Sequence, residues 1–237
     1  MHLSILMTNT DESDFAQLHA KDGEKFPAMM HEVRPDWTFE VFSVKDDIFP
    51  ATLDGFDGVM ITGSPASTLG DAAWIERLLD LIREIHAQEL PMFGACFGHQ
   101  AIALALGGEI GRNPDGWVHG LTHNTVVADQ DWTRALPRDL KLYGSHVEYV
   151  AALPDAAQVL FQALNGAVTG YAIGHTVYTT QHHPEMTDGF IAALTEELAD
   201  DMGPEVASRA RASLAEQADK TVFANSIARF FEHARSD

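Results

Sequence analysis

The chain has 237 residues, long enough to bury a substantial core as one large α/β domain or two small ones. With 46% hydrophobic and 21% charged residues it is globular in composition, and its formal charge of −20 gives a field that repels nucleic-acid phosphates and anionic lipid, so neither nucleic acid nor a membrane is expected as a partner. One cysteine excludes an internal disulfide, the N-terminal stretch lacks a basic flank, and no apolar run nears the ~20 residues of a membrane span, so a cytoplasmic location is expected.

The first half alternates strand-like and helix-like segments, the pattern of a parallel sheet covered by helices. Strands are expected at 2–9, 38–44, 58–63 and 90–96, each short, apolar and closed by turn residues. Between the last two, residues 71–88 carry Trp74, Ile75, Leu78, Leu79, Leu81, Ile82 and Ile85 at helical spacing, with Asp71 as the expected N-cap. This βαβ unit, with its right-handed crossover, brings the strand ends at 63 and 96 to one edge of the sheet. A further helix is expected over 99–108, ending at Gly107-Gly108. After residue 118 the rhythm changes to short strand-like runs at 119–128, 140–146, 157–164, 170–174 and 176–183, which suggests antiparallel additions. From 188 the pattern is helical to the end: 188–200, 204–220 and 221–235. With no linker or repeat, one compact unit is expected, comprising 1–190 and a helical extension over 191–237 packed on it.

The single cysteine lies in "GACFGHQ", residues 94–100. A lone cysteine is most simply a small buried apolar residue. Glycines on both sides, at the point where a strand gives way to a helix, also fit a nucleophile elbow, in which small neighbours give clearance to a sharp turn that exposes the nucleophile. At a helix start the macrodipole and free N–H groups favour thiolate over thiol. A base is offered by "QHHPE": on an extended segment His183 and Glu185 point the same way, so the carboxylate can orient the imidazole. Activity is then expected to fall on acidification through the pKa of His183.

"GACFGHQ" and "QHHPE", together with "ITGSPAS" (61–67) and "YGSH" (143–146), resemble the class I, triad-type glutamine amidotransferases, and the last block resembles their GMP-synthetase-like branch. The resemblance covers roughly residues 1–190. It implies a three-layer, mostly parallel, flavodoxin-like α/β fold with added antiparallel strands and C-terminal helices. It also implies Cys96 as nucleophile, His183 as general base and acid, and Glu185 as orienting carboxylate. Backbone N–H groups of Gly63 and Phe97 would form the oxyanion hole, while Gln100, Ser145 and His146 would help hold the substrate. Thr62 stands where the family's oxyanion loop usually has its first glycine. No metal and no other cofactor is expected: His182 reads as a neighbour on the opposite strand face, and His119 and His123 as packing or surface residues.

Three functions follow from this reading. One is a glutamine amidotransferase or glutaminase that releases ammonia to a separate synthetase, another acceptor protein or a small acceptor. Another is a γ-glutamyl peptidase acting on γ-glutamyl conjugates. The third is a non-catalytic or redox-sensing relative. Phe223, Phe230 and Phe231 are helix-face residues that either face the core or form a homodimer surface.

Overall fold

The computed structural model describes residues 1–234. In chain order the elements are β1 (His2–Met7), α1 (Asp14–Gln17), α2 (Asp22–His31), β2 (Thr38–Ser43), β3 (Gly58–Ile61), α3 (Ala73–Ala87), β4 (Met92–Ala95) and α4 (Phe97–Ala105). They continue with β5 (Glu109–Arg112), β6 (Val118–Val126), β7 (Asp139–His146), β8 (Glu148–Ala152), β9 (Ala157–Ala163), β10 (Val168–Ile173) and β11 (Val177–Thr180). The chain closes with α5 (Asp188–Glu197), α6 (Ala199–Met202), α7 (Pro204–Ser213) and α8 (Lys220–Ala234). The final residue of the helix expected over 221–235, and residues 236–237, lie outside the described residues.

Nine strands form one sheet in the order β2-β1-β3-β4-β11-β10-β9-β6-β7. β2, β1, β3, β4 and β11 run parallel, and from β11 outward every pairing is antiparallel. β3, β4 and β11 are buried on both faces and so read as short apolar runs without alternation. Here the structure corrects one expectation: 176–183 is not a purely antiparallel addition. β11 turns back from β10 and slots beside β4, completing the parallel half.

Alternate side chains of the central strands feed two core layers. Leu3, Ile5, Met60 and Phe93 meet Phe26 and Met30 of α2 and Phe223, Phe230 and Phe231 of α8, while Leu6, Val59, Ile61 and Met92 meet α3 and α4 on the other face. The three phenylalanines are fully buried in the chain's own core, which removes them from any dimer surface. A forked ion pair from Arg34 to Glu232 (2.5 and 2.9 Å) ties the end of α2 to α8.

Other differences are local. α3 begins at Ala73 with Ala72 at the N-cap position and no side-chain cap, so Asp71 lies one residue too early. α4 begins two residues earlier than expected, directly after Cys96. Helix 188–200 breaks into α5 and α6, and 204–220 stops being helical at Ser213. β5 and β8 pair only with each other as a small ribbon, too short and too exposed to show alternation in the sequence. The architecture places the loops after β3, β4 and β11 at one edge, where open α/β sheets bind ligands.

Candidate active site

Cys96 joins β4 to α4 with φ 50° and ψ −104°, a left-handed conformation for a residue with a Cβ, which stores strain of roughly 1–3 kcal/mol. Four bonds fasten the turn. Cys96 N–H donates to the Thr180 carbonyl (2.9 Å), Gly98 N–H to Thr62 (3.1 Å), Gln100 N–H back to Cys96 (3.1 Å), and Thr8 Oγ1 to the Thr62 carbonyl (3.0 Å). The flanking glycines are there for clearance: a Cβ on Gly94 would come within 2.7 Å of the Gly98 backbone, and one on Gly98 within 2.5 Å of the Ile61 carbonyl. The thiol is 4% exposed.

The second side chain arrives from the end of β11. His183 pairs with Tyr143 of β7 in an isolated bridge, its N–H donating to the Tyr143 carbonyl (2.8 Å). Pro184 and Glu185 then turn, so the contact expected along an extended segment is made through a tight turn instead. It is short nonetheless: His183 Nδ1 lies 2.7 Å from Glu185 Oε1, both side chains being buried. Burial alone lowers the basicity of this imidazole, but the neighbouring Cys96 and the Glu185 carboxylate bonded to Nδ1 outweigh that and push its pKa well above the ordinary value. The protonated form of His183 is therefore favoured, which runs against the expected loss of activity on acidification through its pKa.

Gly63 sits against both groups: a Cβ there would stand 2.7 Å from His183 Cε1 and 3.5 Å from Cys96 Cβ. The Thr62 carbonyl is held by Thr8 Oγ1 and Gly98 N–H, and a planar trans peptide then aims the Gly63 N–H the opposite way. Phe97 is the first residue of α4, where N–H groups have no partner within the helix.

A cavity of about 120 Å³ opens beside Cys96, lined among others by Ser67, Gln100, Trp117, Ser145, His146 and Glu148. Three expected site residues therefore do line it, but each is partly committed to the protein. Gln100 Nε2 donates to the Glu148 carbonyl (3.0 Å) and Gln181 Oε1 (3.2 Å). Ser145 Oγ is 3.0 Å from His119 Nδ1. His146 Nδ1 donates to the Glu148 carbonyl (2.9 Å), and burial, helped by the charge on His183, drives its pKa down to about 4 against that bond. His99 and His119 are likewise held neutral, burial pushing them down to about 3 and about 4. His182 Nε2 donates to Asn124 Oδ1 (2.8 Å), and burial, with its histidine neighbours, lowers its pKa as well. The site thus keeps one histidine charged and four neutral around it.

Two residues escaped the sequence reading. Glu148 brings a carboxylate to the cavity wall, where Ser67 Oγ donates to it (2.8 Å). Asp22, at the start of α2, is buried near His183 and Glu185 and accepts from Asn9 Nδ2 (2.9 Å) and Lys25 Nζ (3.2 Å). Burial and the adjacent Glu185 raise its pKa. Neither lies in a motif, and the only hint of Glu148 is that it lies two residues beyond "YGSH". Among the described residues no group of His, Cys, Asp or Glu could hold a metal ion.

The family model for glutamine amidotransferase class-I matches residues 10–191, and the chain belongs to that family. Among its relatives is gamma-glutamyl peptidase 3 of Arabidopsis thaliana, 34% identical over 155 residues; the matched stretch is 62% of this chain and 62% of the peptidase, less than two thirds of that protein's length. Another is one subunit of the glutamine-hydrolysing GMP synthase of Sulfolobus acidocaldarius, 28% identical over 148 residues, covering 62% of this chain and 77% of that one. The fold matches that of a glutamine amidotransferase from Thermotoga maritima with a TM-score of 0.75 at 21% identity, over 98% of this chain and 97% of the other. No helix among the described residues is long and apolar enough to cross a membrane.

Proposed function

We propose that the protein hydrolyses γ-glutamyl amides through a thioester on Cys96. The observation that carries this reading is the convergence of a strained cysteine at a strand-to-helix turn with an imidazolium that Glu185 fixes through Nδ1. A merely structural cysteine has no use for either.

In this reading the glutamyl group fills the cavity beside Cys96, its α-ammonium facing the Glu148 carboxylate. Sγ attacks the γ-carbonyl carbon; the C–S bond forms and the carbonyl electron pair moves to oxygen, where the N–H groups of Gly63 and Phe97 receive it. Each such donor is typically worth ~10²–10³ in rate. Collapse breaks the C–N bond as the His183 proton passes to nitrogen, and ammonia or an amine departs. A water then gives its proton to the neutral His183 and adds to the thioester; the C–S bond breaks and glutamate leaves.

A second reading, in which ammonia passes to a separate synthetase, finds support in the name of the archaeal relative, which is one subunit of a synthase. Both readings share the acyl chemistry. The test is glutamate release from glutamine and from γ-glutamyl conjugates by purified protein. Cys96→Ala is expected to abolish it in a folded protein, and a folded Cys96→Ala variant with wild-type turnover would refute the proposal.

A further inference from the structure

A second chamber adjoins the cavity beside Cys96. Cys96 lines the first chamber, His183 and Glu185 line the second, and Ser64, Pro65, Trp117 and Ser145 belong to both. In the hydrolase reading, a C–N bond poised between the sulfur and the imidazole has its acyl part in the first chamber and its nitrogen substituent in the second.

The second chamber measures about 150 Å³. Ammonia occupies about as much space as one water, ~30 Å³ in the liquid, whereas a dry cavity of ~150 Å³ walled by aliphatic and aromatic groups accommodates a benzene ring. One wall here is of that kind, facing a polar floor that includes Asn9, Asp11, Asp22 and Lys25. Met186, Phe190, Leu194 and Leu198 recur every four residues along one face of α5 and its flanks, and Pro65 and Trp117 stand among the lining residues from the loops after β3 and before β6. Most of the polar floor is committed internally: Asp22 holds Asn9 and Lys25, and Lys25 Nζ also lies 3.6 Å above the Phe190 ring, while Glu185 Oε2 is buried without a hydrogen-bond partner. What the chamber offers a ligand is mainly its apolar wall.

We infer that this chamber is a leaving-group subsite, and that the preferred substrates are γ-glutamyl amides whose amine carries an apolar body of about phenyl size. The inference rests on the hydrolase reading above. Glutamine leaves the chamber empty and gains nothing from it, while a buried ring contributes binding that a hydrophobic pocket converts into a preference of tenfold or more.

The experiment compares kcat/KM for four donors: glutamine, γ-glutamyl-glycine, γ-glutamyl-phenylalanine and γ-glutamyl-phenethylamine. The two ring-bearing donors are expected to exceed glutamine by at least ~10-fold. The phenylalanine and phenethylamine arms then tell an amino-acid leaving group from a plain amine. Leu194→Asp and, separately, Leu198→Ser, both at half-buried positions, are expected to reduce that preference to below about threefold, with melting curves to establish that each variant is folded. Glutamine turnover equal to or faster than that of the ring-bearing donors would overturn the inference and leave the hydrolase reading standing. An absence of glutamate from every donor, with no adduct on Cys96, would remove both.

Discussion

Gly63→Ala puts the geometry of the site under direct strain without touching a reacting atom. Its backbone is not left-handed, so alanine fits the local chain, but the new methyl would stand 2.7 Å from His183 Cε1 and 3.3 Å from Nδ1. Ordinary van der Waals contact begins at ~3.5 Å, so ring and methyl must separate by roughly 0.8 Å. The main chain of His183 is pinned by Tyr143 and its Nδ1 by Glu185, which leaves rotation of the imidazole away from Cys96 as the softest response. A misplacement near 1 Å costs ~10²-fold, equivalent to about 2.7 kcal/mol of barrier. Steady-state hydrolysis of γ-glutamyl-p-nitroanilide is expected to show kcat reduced by ~30- to 100-fold while the melting temperature moves by only a few degrees. A folded variant with kcat within about threefold of wild type would refute the claim that this glycine gives clearance to a catalytic imidazole at His183.

Two further expectations concern pH. His99, His119 and His146 are held neutral with pKa values near 3, 4 and 4, against 6.5 in the unfolded chain. Because these folded values are depressed, stability is intact above pH 6.5 and is lost as pH falls through the window between 6.5 and about 4, where only the unfolded chain gains protons. At pH 5 each costs about 2 kcal/mol, and three together about 6, a large share of the ~5–15 kcal/mol of a whole domain. Calorimetry should therefore find the melting temperature lower by ~10–20 °C at pH 5 than at pH 7, and a shift under ~5 °C would contradict the burial of these rings. His183 works in the opposite sense. Its raised pKa keeps the proton that the leaving nitrogen needs, so the rate of acylation is expected to decline only on the alkaline side, and an acylation limb at pH 6.5 assigned to His183 would refute the ion-pair description.

The strained turn at Cys96 and the pairing of His183 with Glu185 were legible because each part is written locally. Cys96 needs glycines two residues away on either side, and Glu185 reaches His183 from two residues on, so short quoted stretches carry the geometry. The parallel half of the sheet was legible for a similar reason, since β3 and β4 are uninterrupted apolar runs separated by one amphipathic helix. Glu148 and Asp22 were not legible: they come to the site from β8 and α2, which fold there only because distant strands pair. The position of β11 was hidden as well, because a short strand after a hairpin carries nothing in its own sequence to say that its other neighbour is β4. Phe223, Phe230 and Phe231 left two readings open in the sequence, and only the packing of α8 across β1, β3 and β4 decides that they face inward.

The central claim is that a γ-glutamyl group is carried on one sulfur. Acid quenching of a reaction with a γ-glutamyl donor, followed by peptide mass spectrometry, tests it directly. A γ-glutamyl adduct on the peptide containing Cys96, absent from Cys96→Ala and discharged by hydroxylamine, is the result expected. Rapid glutamate release with no adduct there under any quench, or an adduct on another residue, would contradict it.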